Sequence, residues 1–298
     1  MPERPTGLFV PVTTPFDLAT GDVAPVSLRD NARAVLKAGA AGLLAAGSTG
    51  EAVLLDDREF ASIIEWLRDV TPDDRWLLAG TGRESTRATI AACRIAAEAG
   101  ADVALVVPPS YYAPNLTAQD LVGHFRWVAD ASPIPVMLYN MPKYTHIALS
   151  DTLLGDLADH DNVWGAKDSS GELKNFAVYR DAVPSWSLFV GSGALYYAAL
   201  ELGAAGAVAA TGCFAAGPVA EIGQAFAAGD RERAGALQER LTPLHHGIVS
   251  SLGVPGVKAA MDLVGLTGGP VRPPLSDVSD RERGHIRGVL RAAAIQLV

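Results

Sequence analysis

Eight short apolar runs, each followed by a segment rich in helix formers, constrain this chain more than any other feature of its sequence. The runs are Leu8–Val12, Gly42–Ala45, Trp76–Ala79, Val103–Val107, Pro135–Tyr139, Val163–Ala166, Ser187–Val190 and Ala205–Ala209. VALVV and PVMLY are apolar at both alternating positions, the pattern of strands covered on both faces. Between the runs, Ser27, Asp56, Ser85, Thr117 and Ser150 stand where helix N-caps are needed, and Gly39 and Gly100 where helices stop. Eight strand-helix units over roughly 210 residues fit a closed (β/α)8 barrel better than an open doubly wound sheet. From Ala216 onward helix formers dominate. The expected organisation is an α/β protein: a (β/α)8 TIM barrel over 1–215 with a C-terminal helical extension over 216–298 packed on it.

Composition narrows the function. The chain is 49% hydrophobic and 19% charged, enough apolar surface for a large core, and its net charge of -9 would repel a nucleic-acid backbone. Cys93 and Cys213 have no CxxC spacing and the six histidines no metal-binding spacing, so neither a disulfide framework nor a metal centre is expected. The stretch Met1–Asp17 lacks a basic segment followed by a long apolar one, and the uncharged stretch Leu202–Ala220 is mostly Gly and Ala with Pro218 inside it. A cytoplasmic location and no membrane partner are the expectations.

Barrel chemistry is carried at the C-terminal ends of the strands. Gly47-Ser48-Thr49-Gly50-Glu51 after the second run is a turn of small residues whose hydroxyls and N–H groups suit a carboxylate or phosphate; an ordinary turn is the plain alternative. Tyr139 ends the fifth run and is either a proton relay or a rim aromatic. Of 24 basic residues only five are lysine, and one of these, Lys167, directly follows the last apolar residue of the sixth run. Desolvation there favours the neutral amine, which attacks carbonyl carbon to form a Schiff base; the alternatives are snorkelling to the rim and pairing with Asp168. Lys37 and Lys174 fall on solvated helix faces, Lys258 in the capping region and Lys143 in a loop at the mouth. Tyr111 and Tyr112 after the fourth run suit packing or an interface, Gly191-Ser192-Gly193 gives a close-approach turn, and His245-His246 reads as a helix-surface pair.

Five segments taken together, Pro11–Phe16 (PVTTPF), Gly47–Glu51 (GSTGE), Tyr139–Pro142 (YNMP), Gly165–Gly171 (GAKDSSG) and Gly253–Lys258 (GVPGVK), resemble the pyruvate-dependent class I aldolase superfamily of dihydrodipicolinate synthase and N-acetylneuraminate lyase. The resemblance spans nearly the whole chain. It implies that Lys167 forms the imine with pyruvate, Ser48 and Thr49 bind its carboxylate, and Tyr139 with Thr49 moves protons. It further implies that Tyr112, or Tyr111, completes the relay from a neighbouring subunit, that Gly191 and Val208 line the pocket, and that a homo-oligomer, dimer or tetramer, works without cofactor or metal. Synthases of this family carry an arginine two residues after Tyr-Asn-x-Pro, where it holds a substrate carboxylate; here Tyr144 stands there, beside Lys143. With the Lys-Asp-Ser-Ser-Gly segment and Gly268–Leu275, this points to cleavage or formation of a 4-hydroxy-2-oxo acid (4-hydroxy-2-oxoglutarate or a 2-keto-3-deoxy sugar acid), with Lys143 and Tyr144 reading the aldehyde half. The alternatives are condensation of pyruvate with aspartate semialdehyde, as in dihydrodipicolinate synthase, and a dehydratase on the same scaffold. A non-catalytic 2-oxo acid sensor is the reading from a different class.

Overall fold

All eight apolar runs form strands, and the strands close on themselves. In the computed structural model, which describes residues 4–298, they are β1 (Gly7–Pro11), β2 (Gly42–Ala45), β3 (Trp76–Gly80), β4 (Val103–Val106), β5 (Val136–Asn140), β6 (Val163–Asp168), β7 (Ser187–Val190) and β8 (Gly206–Val208). Each pairs in parallel with the next and β8 pairs with β1. The first three residues of the N-terminal stretch read above lie outside the described residues.

The helices are α1 (Pro25–Lys37), α2 (Asp57–Arg68), α3 (Thr86–Glu98), α4 (Ala118–Ala131), the short α5 (Pro142–Thr145) and α6 (Asp151–Gly155), α7 (Leu173–Ala182), α8 (Tyr196–Glu201), α9 (Gly212–Ala227), α10 (Arg231–Leu244), α11 (Ser251–Leu263) and α12 (Asp280–Ala292). Asp56 and Thr117 close capping boxes at α2 and α4, and the Ser85 and Ser150 hydroxyls accept from the third residue of their helices. Ser27 does not cap α1. The helix starts two residues earlier at Pro25, whose fixed φ suits a first turn and which has no N–H to satisfy. Gly39 and Gly100 follow α1 and α3 at φ +107° and +97°, the left-handed conformation of a helix stop.

Side chains alternate between two apolar layers. Phe9, Leu44, Leu78, Leu105, Met137, Phe189 and Val208 fill the barrel interior, while Leu8, Val10, Leu43, Leu77 and Leu138 pack outward beneath the helices. Tyr139 belongs to the inner set, so the polar end of β5 stands on a packed floor. The division expected at 215/216 falls inside α9, at Ala215, where the backbone leaves the helical region (φ -145°, ψ 39°). α9 packs on β1, and α10, a π-helical stretch His245–Ser250, α11 and α12 complete the C-terminal layer. Among the described residues no helix is long and apolar enough to cross a membrane.

Candidate active site

The register of β5 against β6 sets Tyr139 opposite Lys167 and Asn140 opposite Asp168. Because strand side chains alternate, Tyr139 and Lys167 point into the barrel, while Asn140 and Asp168 point outward. The outward pair is locked. Asn140 Nδ2 donates to Asp168 Oδ1 at 2.7 Å, and Asn140 Oδ1 accepts from the Leu149 N–H at 3.0 Å. Asp168 also accepts from the Ser170 hydroxyl and N–H, and burial still pushes its carboxyl above the usual range against those bonds. A Lys167–Asp168 pair, one plain alternative for this lysine, is therefore absent: the two leave the strand on opposite faces. Lys167 does not snorkel either, being 5% exposed.

Lys167 Nζ lies 4.1 Å from the centre of the Tyr139 ring. Burial opposes ionisation of the Tyr139 phenol, but the Lys167 ammonium and hydrogen bonds with Ser169, Ser48 and Lys167 outweigh it, and the pKa falls below the ordinary 10.0. The Lys167 side chain thus stabilises the ionised form of the phenol.

Around this pair is a cavity of about 240 Å³, lined by Ser48, Thr49, Tyr139, Lys143, Tyr144, Lys167, Gly191 and Val208 among others. Eight of the nine residues singled out in the sequence thereby meet at one place; Tyr112 does not. Tyr111 and Tyr112 are 77% and 66% exposed, packed edge to face at 4.9 Å, on a loop tied by Ser110 and the Tyr111 N–H to Glu84. Ser48–Gly50 form a single 3₁₀ turn across the mouth, fixed by Thr14 Oγ1 donating to the Gly50 carbonyl at 2.7 Å. Gly191 is required by close approach: a Cβ there would lie 1.8 Å from Ser169 Oγ, the hydroxyl that helps to lower the Tyr139 pKa.

His245 corrects the sequence reading. It is no surface residue: it lines the cavity, its Nε2 lies 3.1 Å from Ser192 Oγ, and burial, with smaller contributions from His246 and Lys143, holds its pKa down at about 4. Val249, Val254 and Val257 from the C-terminal layer also line the cavity. A larger open groove of about 550 Å³, between Gly217 and Arg233 on the outside of α9 and α10, brings together none of the chemistry-bearing residues.

A buried amine against a phenol, at the carboxyl end of a parallel barrel, is equipped to capture a carbonyl carbon and to move the proton this releases, and the chain is a Schiff-base-forming lyase of the class I aldolase type. Residues 4–293 match the model of the dihydrodipicolinate synthetase family. The chain is 34% identical over 286 residues to a 4-hydroxy-tetrahydrodipicolinate synthase of Methanothrix thermoacetophila, covering 95% of each chain. It is 36% identical over 284 residues to an uncharacterized DapA-like lyase of Halobacterium salinarum, covering 95% of this chain and 92% of that one. The crystal structure of dihydrodipicolinate synthase from Acinetobacter baumannii, complexed with pyruvate, superposes with a TM-score of 0.92 at 29% identity, covering 98% and 99% of the two chains. The chain belongs to the dihydrodipicolinate synthetase family.

Proposed function

We propose that Lys167 captures pyruvate as an imine and that the enzyme forms, or in reverse cleaves, a carbon–carbon bond between pyruvate and an aldehyde. The observation that carries the reading is the Lys167–Tyr139 pair, buried and in contact at the strand ends. The lysine nitrogen adds to the C2 carbonyl of pyruvate, and loss of water leaves the imine. A proton then passes from C3 to the Tyr139 oxygen, giving an enamine whose C3 attacks the aldehyde carbon. The new alkoxide takes a proton from the Tyr139 phenol, and water returns to C2 to release product and free amine. Thr49 joins Tyr139 in the relay, and the Ser48–Thr49 turn, whose two N–H groups find no acceptor among the described residues, binds the carboxylate. Gly191 leaves room and Val208 gives an apolar wall. A homo-oligomer in which a second copy lends Tyr112, or Tyr111, would account for two tyrosines so exposed in one chain.

The names of the curated relatives favour aspartate semialdehyde as the aldehyde, over the 4-hydroxy-2-oxo acids suggested by the sequence. A second reading, cleavage of a 4-hydroxy-2-oxo acid, rests on one observation: among the described residues no arginine lines the cavity, and the cations that do are Lys143 and Lys167. The exposed Lys143 would then be the sole cation for a second carboxylate. The test is a panel read by pyruvate consumption and release. Consumption of pyruvate with aspartate semialdehyde supports the first reading, release of pyruvate from hydroxylated 2-oxo acids the second. Activity surviving in Lys167→Ala overturns both.

A further inference from the structure

Lys258, assigned no chemistry by the sequence, is 2% exposed in α11 and lies 2.5 Å from Oε1 of Glu51, whose side chain is fully buried. The same ammonium donates to the Pro270 carbonyl at 2.7 Å and sits 4.5 Å from the centre of the Phe16 ring. Oε2 of Glu51 accepts the Arg272 backbone N–H at 2.8 Å. Burial lowers the Lys258 pKa and the Glu51 carboxylate opposes that fall. Glu51 ends the 3₁₀ turn Ser48–Gly50 in the left-handed conformation, φ 59°, which side chains other than glycine's adopt at a cost. The sequence spends a buried charge and an unfavourable backbone conformation on the residue two places after Thr49. A glycine would satisfy the backbone alone, so the carboxylate is what this position retains.

The ion pair spans the join between barrel and C-terminal layer. α11 packs against the turn, its Val254 and Val257 facing the cavity and its Lys258 facing Glu51. The turn is otherwise tied through Thr14 to the Gly50 carbonyl.

We propose that Glu51 and Lys258 are positioning residues that fix the Ser48–Thr49 turn against the 2-oxo acid carboxylate, so that the C-terminal extension sets affinity for the first substrate without touching it. This rests on the carboxylate reading of that turn. A shift of about 1 Å in a binding group costs on the order of 100-fold where the geometry is tight.

The test measures the pyruvate concentration that gives half-maximal borohydride trapping on Lys167, together with melting temperature, for the full chain and for Lys258→Met, Glu51→Gln and Arg272→Met. Arg272→Met is the comparison for stability: it breaks the paired hydrogen bonds to Glu59 that also dock the extension, and keeps the backbone N–H that Glu51 uses. In Lys258→Met and Glu51→Gln the half-saturating concentration is expected to rise about 10- to 100-fold, with the adduct still forming on Lys167 at high pyruvate. In Arg272→Met it is expected to stay within about twofold, although melting falls. Equal shifts in all three at comparable melting temperatures, or no shift in Glu51→Gln, overturn the proposal. If Lys258→Met does not fold, Glu51→Gln, which keeps side-chain size and the acceptor for Arg272, decides alone. Failure of the unsubstituted chain to trap pyruvate at all refutes the imine reading instead, so the two failures are distinct.

Discussion

Gly191→Ala tests whether the outer end of β7 holds the proton relay in place. An added Cβ would meet Ser169 Oγ at 1.8 Å, Ser169 Cβ at 2.9 Å and the Asp168 carbonyl at 3.2 Å. Rotating the hydroxyl relieves the first contact only. The second involves the root of the side chain, so the backbone after Lys167 must also give. The Ser169 hydroxyl is among the groups that lower the Tyr139 pKa, and the Gly191 N–H donates to Asp168 O at 2.7 Å, so the displacement reaches the proposed relay through Ser169. Overpacking of this kind costs about 1–3 kcal/mol of stability, or a fall of roughly 2–12 °C at ~2–4 °C per kcal/mol in a large domain. A misplacement of several tenths of an ångström is expected to lower kcat by about 10- to 100-fold, equivalent to ~1.4–2.7 kcal/mol of barrier. Circular dichroism melting and steady-state turnover at saturating pyruvate read the two effects separately. Wild-type turnover in a variant that melts at the wild-type temperature would refute the reasoning, because it would mean that the strand end accommodates the methyl without moving Ser169.

Tyr139→Phe keeps the ring in the barrel floor and removes only the hydroxyl; turnover should fall by about 100- to 10,000-fold while borohydride still traps pyruvate, as single-turnover assays would report. Lys143→Ala should raise the KM for the aldehyde or hydroxylated oxo acid several-fold and leave that for pyruvate within about twofold, because Lys143 stands at the exposed rim; equal changes in both would remove it from recognition of the second substrate. His124 is buried with its Nε2 unpartnered and its pKa held by burial at about 4 against 6.5 in the open chain. Only the unfolded chain takes up that proton between these values, so stability should fall as pH drops from about 6.5 to about 4. His124→Leu should lessen the slope of melting temperature over that window and leave the share due to His245, which burial also holds at about 4; an unchanged slope would assign the acid sensitivity to other groups.

Much of this was legible in local sequence, and the rest depends on contacts that local sequence does not carry. The strands were readable because parallel strands buried on both faces need continuous apolar runs, and Lys167 because it directly follows such a run. That Lys167 and Asp168 face opposite ways follows from strand alternation once β6 is known to run through Asp168 rather than stop at Ala166. His245 was missed. Two adjacent histidines read as a polar surface pair, although at 3.6 residues per turn His245 falls on the face that carries the buried Ala234, Gln238 and Leu241 of α10, a count that would have found it. The Glu51–Lys258 pair joins two segments separated by most of the chain, and neither residue's neighbours announce it. Ser27 failed as a cap because Pro25 offers an earlier start. Lys143 and Tyr144 line the cavity, whereas Tyr112 stands away from it on an exposed loop.

The imine on Lys167 can be read by reduction of the protein with borohydride in the presence of pyruvate, followed by mass measurement of the peptides. The expected result is a single pyruvate-derived adduct on the peptide carrying Lys167, absent without pyruvate and absent in Lys167→Ala. An adduct on any of the other four lysines, or none at saturating pyruvate, would rule out imine formation at Lys167.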